Sequence, residues 1–178
     1  MRFYADLHIH SRFSRATSRE LNLPALASGA VRKGLTVIGT GDFTHPTWLS
    51  EIEQMLVEAE PGLYRLPDEQ DVRFILTSEI STIYKQADKV RKVHHLLLAP
   101  DIATVRTINK ALAGIGNIIS DGRPILGISS RDLLEIVLSA NPEAFGIIKG
   151  VDVEAEAFNY VREVDEDLEP GRTTVDGV

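Results

Sequence analysis

The stretch FYADLHIHSRFSRATSRELNLPALASGAVRKGLTVIGTGD, Phe3 to Asp42, decides the fold class. It opens with a short apolar run, Phe3 to Ile9, that reads as a buried strand. Polar residues from Ser11 to Glu20 form the loop beyond that strand's C-terminal end. A helix is predicted over Leu23–Lys33, with Asn22 as N-cap, Pro24 in the first turn and Gly34 at the stop. Thr36 to Gly39 follows as a β-branched apolar strand, closed by Gly39 and Gly41.

The alternation continues downstream. Pro46 opens a second helix that is expected to run to about Glu60, where Pro61-Gly62 ends it. Arg73 to Ser78 reads as a strand continuing into a partner through Ile80 to Tyr84. A charged turn, Lys85 to Lys92, leads to the apolar strand Val93 to Leu98. Asp101 caps a helix whose apolar face is Ile102, Val105, Ile108 and Leu112. Gly122 to Gly127 is loop, and Ser129 or Ser130 caps a helix from Asp132 to Ala140. Buried strands alternating with amphipathic helices predict an α/β layout with parallel strands. In such sheets and barrels, ligands sit at the C-terminal ends of the strands.

Composition narrows the chemistry. The 178 residues fit one domain with a sizeable core, and 43% hydrophobic residues is ordinary for a globular protein. There is no cysteine, which excludes a disulfide frame, a thiolate metal site and a thiol nucleophile. The opening residues lack the apolar run of a signal peptide, and no run is long enough to span a bilayer, so a cytoplasmic setting is expected. The net charge of −7 resides in Val151 to Val178, which holds nine acidic and two basic residues. Residues 1–150 balance to zero, leaving room for local basic patches that meet an anionic substrate.

Five histidines carry the functional signal. His8 and His10 are two apart on a strand, so both point to one face, roughly 6.5–7 Å apart along the backbone. At a strand end this converges two imidazoles on one point and suits a metal ion; the alternative is a hydrogen-bonded pair of core histidines. Asp42 follows the second strand, and His45 lies three residues later. Glu79 ends the Arg73 strand, where an unpaired carboxylate is costly and a bridging metal carboxylate explains it. A turn-capping role for Asp42 and a surface position for Glu79 are the competing readings. Of His94 and His95, adjacent on one strand, only one can face a shared site.

The segments ADLHIHSRFSRATSRE, GTGDFTHPTWL, RFILTSEISTIY, KVHHLLLAPD and NKALAGIGNIISDGRPILG together resemble the N-terminal part of the PHP (polymerase and histidinol phosphatase) metal-dependent phosphoesterases. Within that superfamily they are most similar to the endonuclease Q group, over about residues 3–138. The resemblance implies a distorted (β/α)7-type barrel, with up to three divalent ions, zinc or manganese, at the strand ends. It also implies phosphoester hydrolysis, and, for the endonuclease Q group, nicking of DNA at deaminated bases and abasic sites. His8 and His10 match the first motif, Glu79 the bridging carboxylate, and His94 the ligand before LLLAP, with His95 as second choice. Asp42 matches the acid of the second motif; Phe43 stands where many members have histidine, and His45 is the residue that takes over. Asp42 and Glu79 are the candidate catalytic carboxylates.

Arg12, Arg15 and Arg19, in the loop after His10, are placed to meet phosphate oxygens with bidentate guanidinium forks, or else form a solvated loop. No histidine follows His95, so the later motifs of the superfamily are missing and the barrel is expected to be incomplete or truncated on its C-terminal side. Two other functions compete with a nuclease on damaged DNA: a phosphatase acting on a small phosphomonoester, and a non-catalytic remnant of the fold. The expected organisation is a PHP domain over residues 1–145 and an acidic segment over 146–178. FGIIKGVDVEAEAF, Phe145 to Phe158, alternates apolar and acidic residues and is expected to pair along the sheet, with Asp152 or Glu154 available as a substitute carboxylate. A second copy covering the remaining edge as a homodimer is a further expectation.

Overall fold

The computed structural model describes residues 3–152. Their order is β1 (Ala5–Asp6), α1 (Leu23–Lys33), β2 (Val37–Gly39), α2 (Pro46–Met55), β3 (Val57–Glu60), β4 (Leu63–Arg65), β5 (Arg73–Gln86), β6 (Lys89–Ala99), α3 (Ile102–Ala113), β7 (Ile125–Leu126), α4 (Ser130–Ala140) and β8 (Phe145–Asp152). The result is a mixed α/β architecture: an open eight-stranded sheet with four helices among the described residues.

The expected parallel core is present as β1, β2 and the start of β5, with Val37 opposite Ala5 and Arg73. The rest of the sheet departs from it. β6 runs antiparallel to β5 over eleven residue pairs, β8 antiparallel to β6, and only β7 returns parallel to β5. β5 is a single strand of 14 residues, longer than the two pieces expected. The turn joining it to β6 is only Ala87-Asp88, both with positive φ (48° and 59°), the two-residue hairpin geometry whose twist matches the strands.

Helix α2 ends at Met55, not near Glu60. Val57–Glu60 instead pairs with Leu63–Arg65 around Gly62, whose φ is +76°, and Arg73 locks the hairpin by a bidentate pair with Glu60 at 2.7 and 3.0 Å. The other three helix readings match closely. Asn22 caps α1 through Ala25, and Gly34 closes it in the left-handed region. Asp101 caps α3 with Val105, Ile108 and Leu112 fully buried. Ser129 and Asp132 make a reciprocal capping box at the start of α4.

The strand read over Phe3 to Ile9 forms ladder pairs only at Ala5 and Asp6, but the chain beyond stays pressed against the β2 end. A Cβ on Gly39 would collide with the Leu7 carbonyl oxygen and Thr77 Oγ1, and one on Gly41 with the Ile9 carbonyl oxygen. Two glycines therefore hold Leu7 to His10 against the strand end, which fixes where both histidines sit. Trp48, fully buried, secures the same corner by donating Nε1–H to the Thr40 and Gly41 carbonyls, 3.2 and 2.8 Å away.

β8 adds the expected strand along β6, from Phe145 opposite Leu98 to Asp152 opposite Lys92. The expectations for Glu154 and for the remaining acidic segment, and that of a substitute carboxylate at Asp152, concern side chains outside the described residues. No described helix is long and apolar enough to cross a membrane.

Candidate metal centre

Four elements converge at the C-terminal end of the parallel strands. The segment after β1 supplies His8 and His10, the segment after β2 supplies Asp42, β5 supplies Glu79 and β6 supplies His94. Glu79 pairs with Leu96 and Ser81 with His94, so Glu79 and His94 share one face of the hairpin. The two rings of the His-Ile-His pair stand edge to face with centroids 5.2 Å apart.

Glu79 is the hub. Its carboxylate, 4% exposed, meets His8 Nε2 at 2.5 Å and His10 Nε2 at 3.4 Å through Oε2, and His94 Nδ1 at 2.6 Å through Oε1. One ligand atom each from His8, His10 and Glu79 lies within 4.8 Å of the others, the one such group among the described residues. Burial of Glu79 works against its ionised form, but hydrogen bonds from His10 and His94 outweigh it and hold the carboxyl below the usual carboxylate range. Burial likewise opposes the imidazolium of His10, yet its hydrogen bonds to Asp42 and Glu79 raise its pKa to about 9. A pocket that stabilises positive charge this far, with imidazole and carboxylate donors only, could hold a metal cation.

Asp42, expected as a ligand and catalytic carboxylate, stands behind His10 and not among the converging ligand atoms. It is fully buried, with φ at +50°, a conformation aspartate tolerates better than most residues. Its Oδ2 accepts hydrogen bonds from the Ser11 amide (2.6 Å), the Ser11 hydroxyl (2.7 Å) and the Ser14 hydroxyl (2.8 Å). Its Oδ1 faces His10 Nδ1 at 3.1 Å, which fixes the ring and leaves Nε2 toward Glu79.

The remaining candidates separate. His94 joins the cluster, with Ser81 Oγ 3.0 Å from its Nδ1. His95 lies on the opposite face, buried, with Nε2 3.1 Å from Thr82 Oγ1 and 3.2 Å from Ser130 Oγ. Alternation along β6 leaves it no route to the ligand side. His45 is the N-cap of α2, accepting from the Trp48 amide and stacked on Phe13 at 4.3 Å, so it takes no part in the cluster. Arg12 is engaged by Glu51 at 2.6 Å and Arg15 by Asp121 at 3.2 Å, while Arg19 is exposed.

Sequence reading missed the support around Asp42. Ser11 and Ser14 hold its carboxylate, and Gly122 packs so closely on it that a Cβ there would overlap Asp42 and Ser14. The Gly122 amide also donates to the Phe13 carbonyl at 3.0 Å. The only signal for this was the Asp-Gly pair at Asp121-Gly122, which marks a tight turn but not what it packs on.

No family model matches the chain. Over 133 residues it is 41% identical to the uncharacterized protein MJ0043 of Methanocaldococcus jannaschii, an alignment covering 74% of this chain and 14% of that protein. Its structure is similar to that of the lesion-specific endonuclease PfuEndoQ from Pyrococcus furiosus, with a TM-score of 0.68 and 32% identity over 82% of this chain and 33% of that one. It is similar to Endonuclease Q in complex with a 27-mer duplex carrying an abasic lesion at the active site, with a TM-score of 0.67 and 32% identity over 82% and 34% of the two chains. The chain thus spans 14% of the curated relative's length and about one third of the solved endonucleases.

Proposed function

We propose that this chain forms the metal-binding part of a phosphoester hydrolase of the PHP type, an endonuclease acting on DNA at deaminated bases or abasic sites. The carrying observation is the convergence of His8, His10 and Glu79 within 4.8 Å, in a chain 32% identical to a lesion-specific endonuclease. In this reading the open sheet is the first part of the distorted barrel.

His8, His10, Glu79 and His94 would hold the ion or ions. A bound divalent metal supplies a water of lowered pKa and neutralises charge on the phosphate during in-line attack. The protein's own contribution is positional. Asp42 holds His10 in one tautomer and orientation, and the Ser11 and Ser14 donors fix the position of the Asp42 carboxylate. Glu79, as the catalytic carboxylate, presents an anion from a buried strand end, so its oxygens keep one geometry. Arg19, on the loop beyond His10, is placed to meet phosphate oxygens, with Arg12 released from Glu51 and Arg15 from Asp121 joining it.

The test couples metal content to strand nicking. Elemental analysis of the purified chain should find divalent metal, and a duplex with one abasic site should be nicked in a chelator-sensitive way. Glu79→Ala should remove both. Nicking that survives complete metal removal would refute the proposal. Turnover of a phosphomonoester with no nicking would replace it with the phosphatase reading.

A further inference from the structure

Among the described residues, the β5–β6 hairpin is longer than the sheet that supports it. Parallel pairing by β7 stops at Thr82, and β8 begins its pairing at Lys92. Among the described residues, Tyr84 to Gln86 and Lys89 to Arg91 pair only with each other. Three residue pairs at about 3.4 Å each extend roughly 10 Å beyond the described part of the sheet. A two-stranded ribbon is marginal in water by itself, and this one carries exposed apolar residues, Ile83 at 38% and Val90 at 50%.

Register shows which way the ribbon faces. The pairs Glu79–Leu96, Ser81–His94, Ile83–Lys92 and Lys85–Val90 alternate with the others and share one face. The hydrogen bond between His94 and Glu79 identifies it as the face of the metal cluster. On the other face Tyr84 and His95 meet Ser130 of α4, so that side is covered where the ribbon leaves the sheet. From the cluster outward, the open face reads His94, then Lys92 beside Ile83, then Lys85 beside Val90; Lys89, paired with Gln86 at the tip, belongs to the opposite face. Lys85, Lys89 and Lys92 are exposed and make no ion pair with any described residue. β8 sets Asp152 in register beside Lys92, and Asp88 sits in the turn, against four basic residues between Lys85 and Lys92.

We propose that this ribbon is a DNA-binding arm, whose lysines track the phosphates of the strand entering the metal site while Ile83 and Val90 lie against its sugars. Basic and apolar residues alternating along one open face match a polyanion with an apolar sugar surface, and the strip leads directly from His94. The proposal rests on the nuclease reading for the identity of the polymer, but not on catalysis.

The experiment measures binding of a fluorescein-labelled abasic duplex by anisotropy across a salt series, with the full chain and a Lys85→Gln/Lys92→Gln variant. The variant should bind at least about tenfold more weakly at low salt. Its log K against log salt slope should be shallower by about 2, close to one for each phosphate that the two lysines neutralise in the parent. Its metal content, thermal midpoint and hydrolysis of bis-p-nitrophenyl phosphate should equal those of the parent. Equal affinity and slope in the two proteins would overturn the arm, as would a parent that binds no DNA. If the parent hydrolyses no phosphoester but the variant loses DNA binding, the arm stands and the nuclease reading fails. If the parent nicks DNA and the variant binds like it, the arm alone falls.

Discussion

His95 makes the pH stability of the fold a direct test of how the two faces of β6 are assigned. Its ring is buried against Thr82 and Ser130, both neutral hydroxyls, with no carboxylate of the described residues hydrogen-bonded to it to stabilise an imidazolium. Burial, reinforced by the neighbouring His94, lowers its pKa from 6.5 to about 4. In the unfolded chain the ring takes up a proton near pH 6.5, while the folded protein resists this until about pH 4. The unfolded state therefore binds more protons between those values. The stability at stake is complete above pH 6.5 and is lost as pH falls toward the folded pKa. Integrating over that window gives a loss of about 2 kcal/mol by pH 5 and about 3 kcal/mol by pH 4.

The assay is urea unfolding at pH 7.5, 6, 5 and 4, in chelator, for the parent and for His95→Gln, which keeps a polar group beside the two hydroxyls. Acid loss from carboxylates is common to both and cancels in the difference. The parent should lose about 2 to 3 kcal/mol more than the variant between pH 7.5 and pH 4. Curves that stay parallel would refute the reasoning, because they would mean that His95 is not held neutral by its burial.

Three other outcomes follow from the site and the hairpin. Asp42→Asn keeps size and tolerance of the left-handed backbone but removes the charge behind His10; metal affinity by isothermal titration should fall about 10- to 100-fold with the fold intact. Metal binding must displace the proton that His10 retains with a pKa of about 9, so affinity should rise with pH below that value, with close to one proton released per ion at pH 7 when measured in buffers of differing ionisation enthalpy. Asp88→Gly relieves a φ of 59° in the hairpin turn and should slow amide exchange at Tyr84 and Arg91, a local stabilisation of about 0.5–1 kcal/mol.

The legible parts of the fold were those written in local chemistry. Caps announce themselves: Asn22, Asp101 and Ser129 each place a side-chain oxygen where a helix must begin, and Gly34 supplies the left-handed stop. The His-Ile-His spacing needs only strand geometry to put two rings together. The end of α2 was illegible because Val57–Glu60 has enough helical character in sequence, and what decides it is the distant pairing of Glu60 with Arg73. The hairpin hid its length because Ala87-Asp88 forms a tight turn without the glycine that normally marks one. Likewise, Asp42 could be assigned to the site region from its place after β2, but its position behind His10 depends on Ser11, Ser14 and Gly122, the last of them 80 residues away in sequence.

One strand pair carries three functions at once, and this constrains how the site can work. The inward face of β5 and β6 packs the core through Leu76, Ile80 and Leu97; the same strands present Glu79 and His94 on the ligand side, and both continue into the ribbon. No flexible joint separates these parts, since eleven consecutive residue pairs run from Leu76 opposite Ala99 to Gln86 opposite Lys89. A polymer engaged by Lys92 and Lys85 would therefore be held at a fixed distance from Glu79, about two residues of strand per step. Orientation would come from the unbroken register of the hairpin, which sets the distance of the phosphate from Glu79. An arm on a hinged loop could grip the same polyanion, but it could not present one phosphate to the ligands in preference to its neighbours.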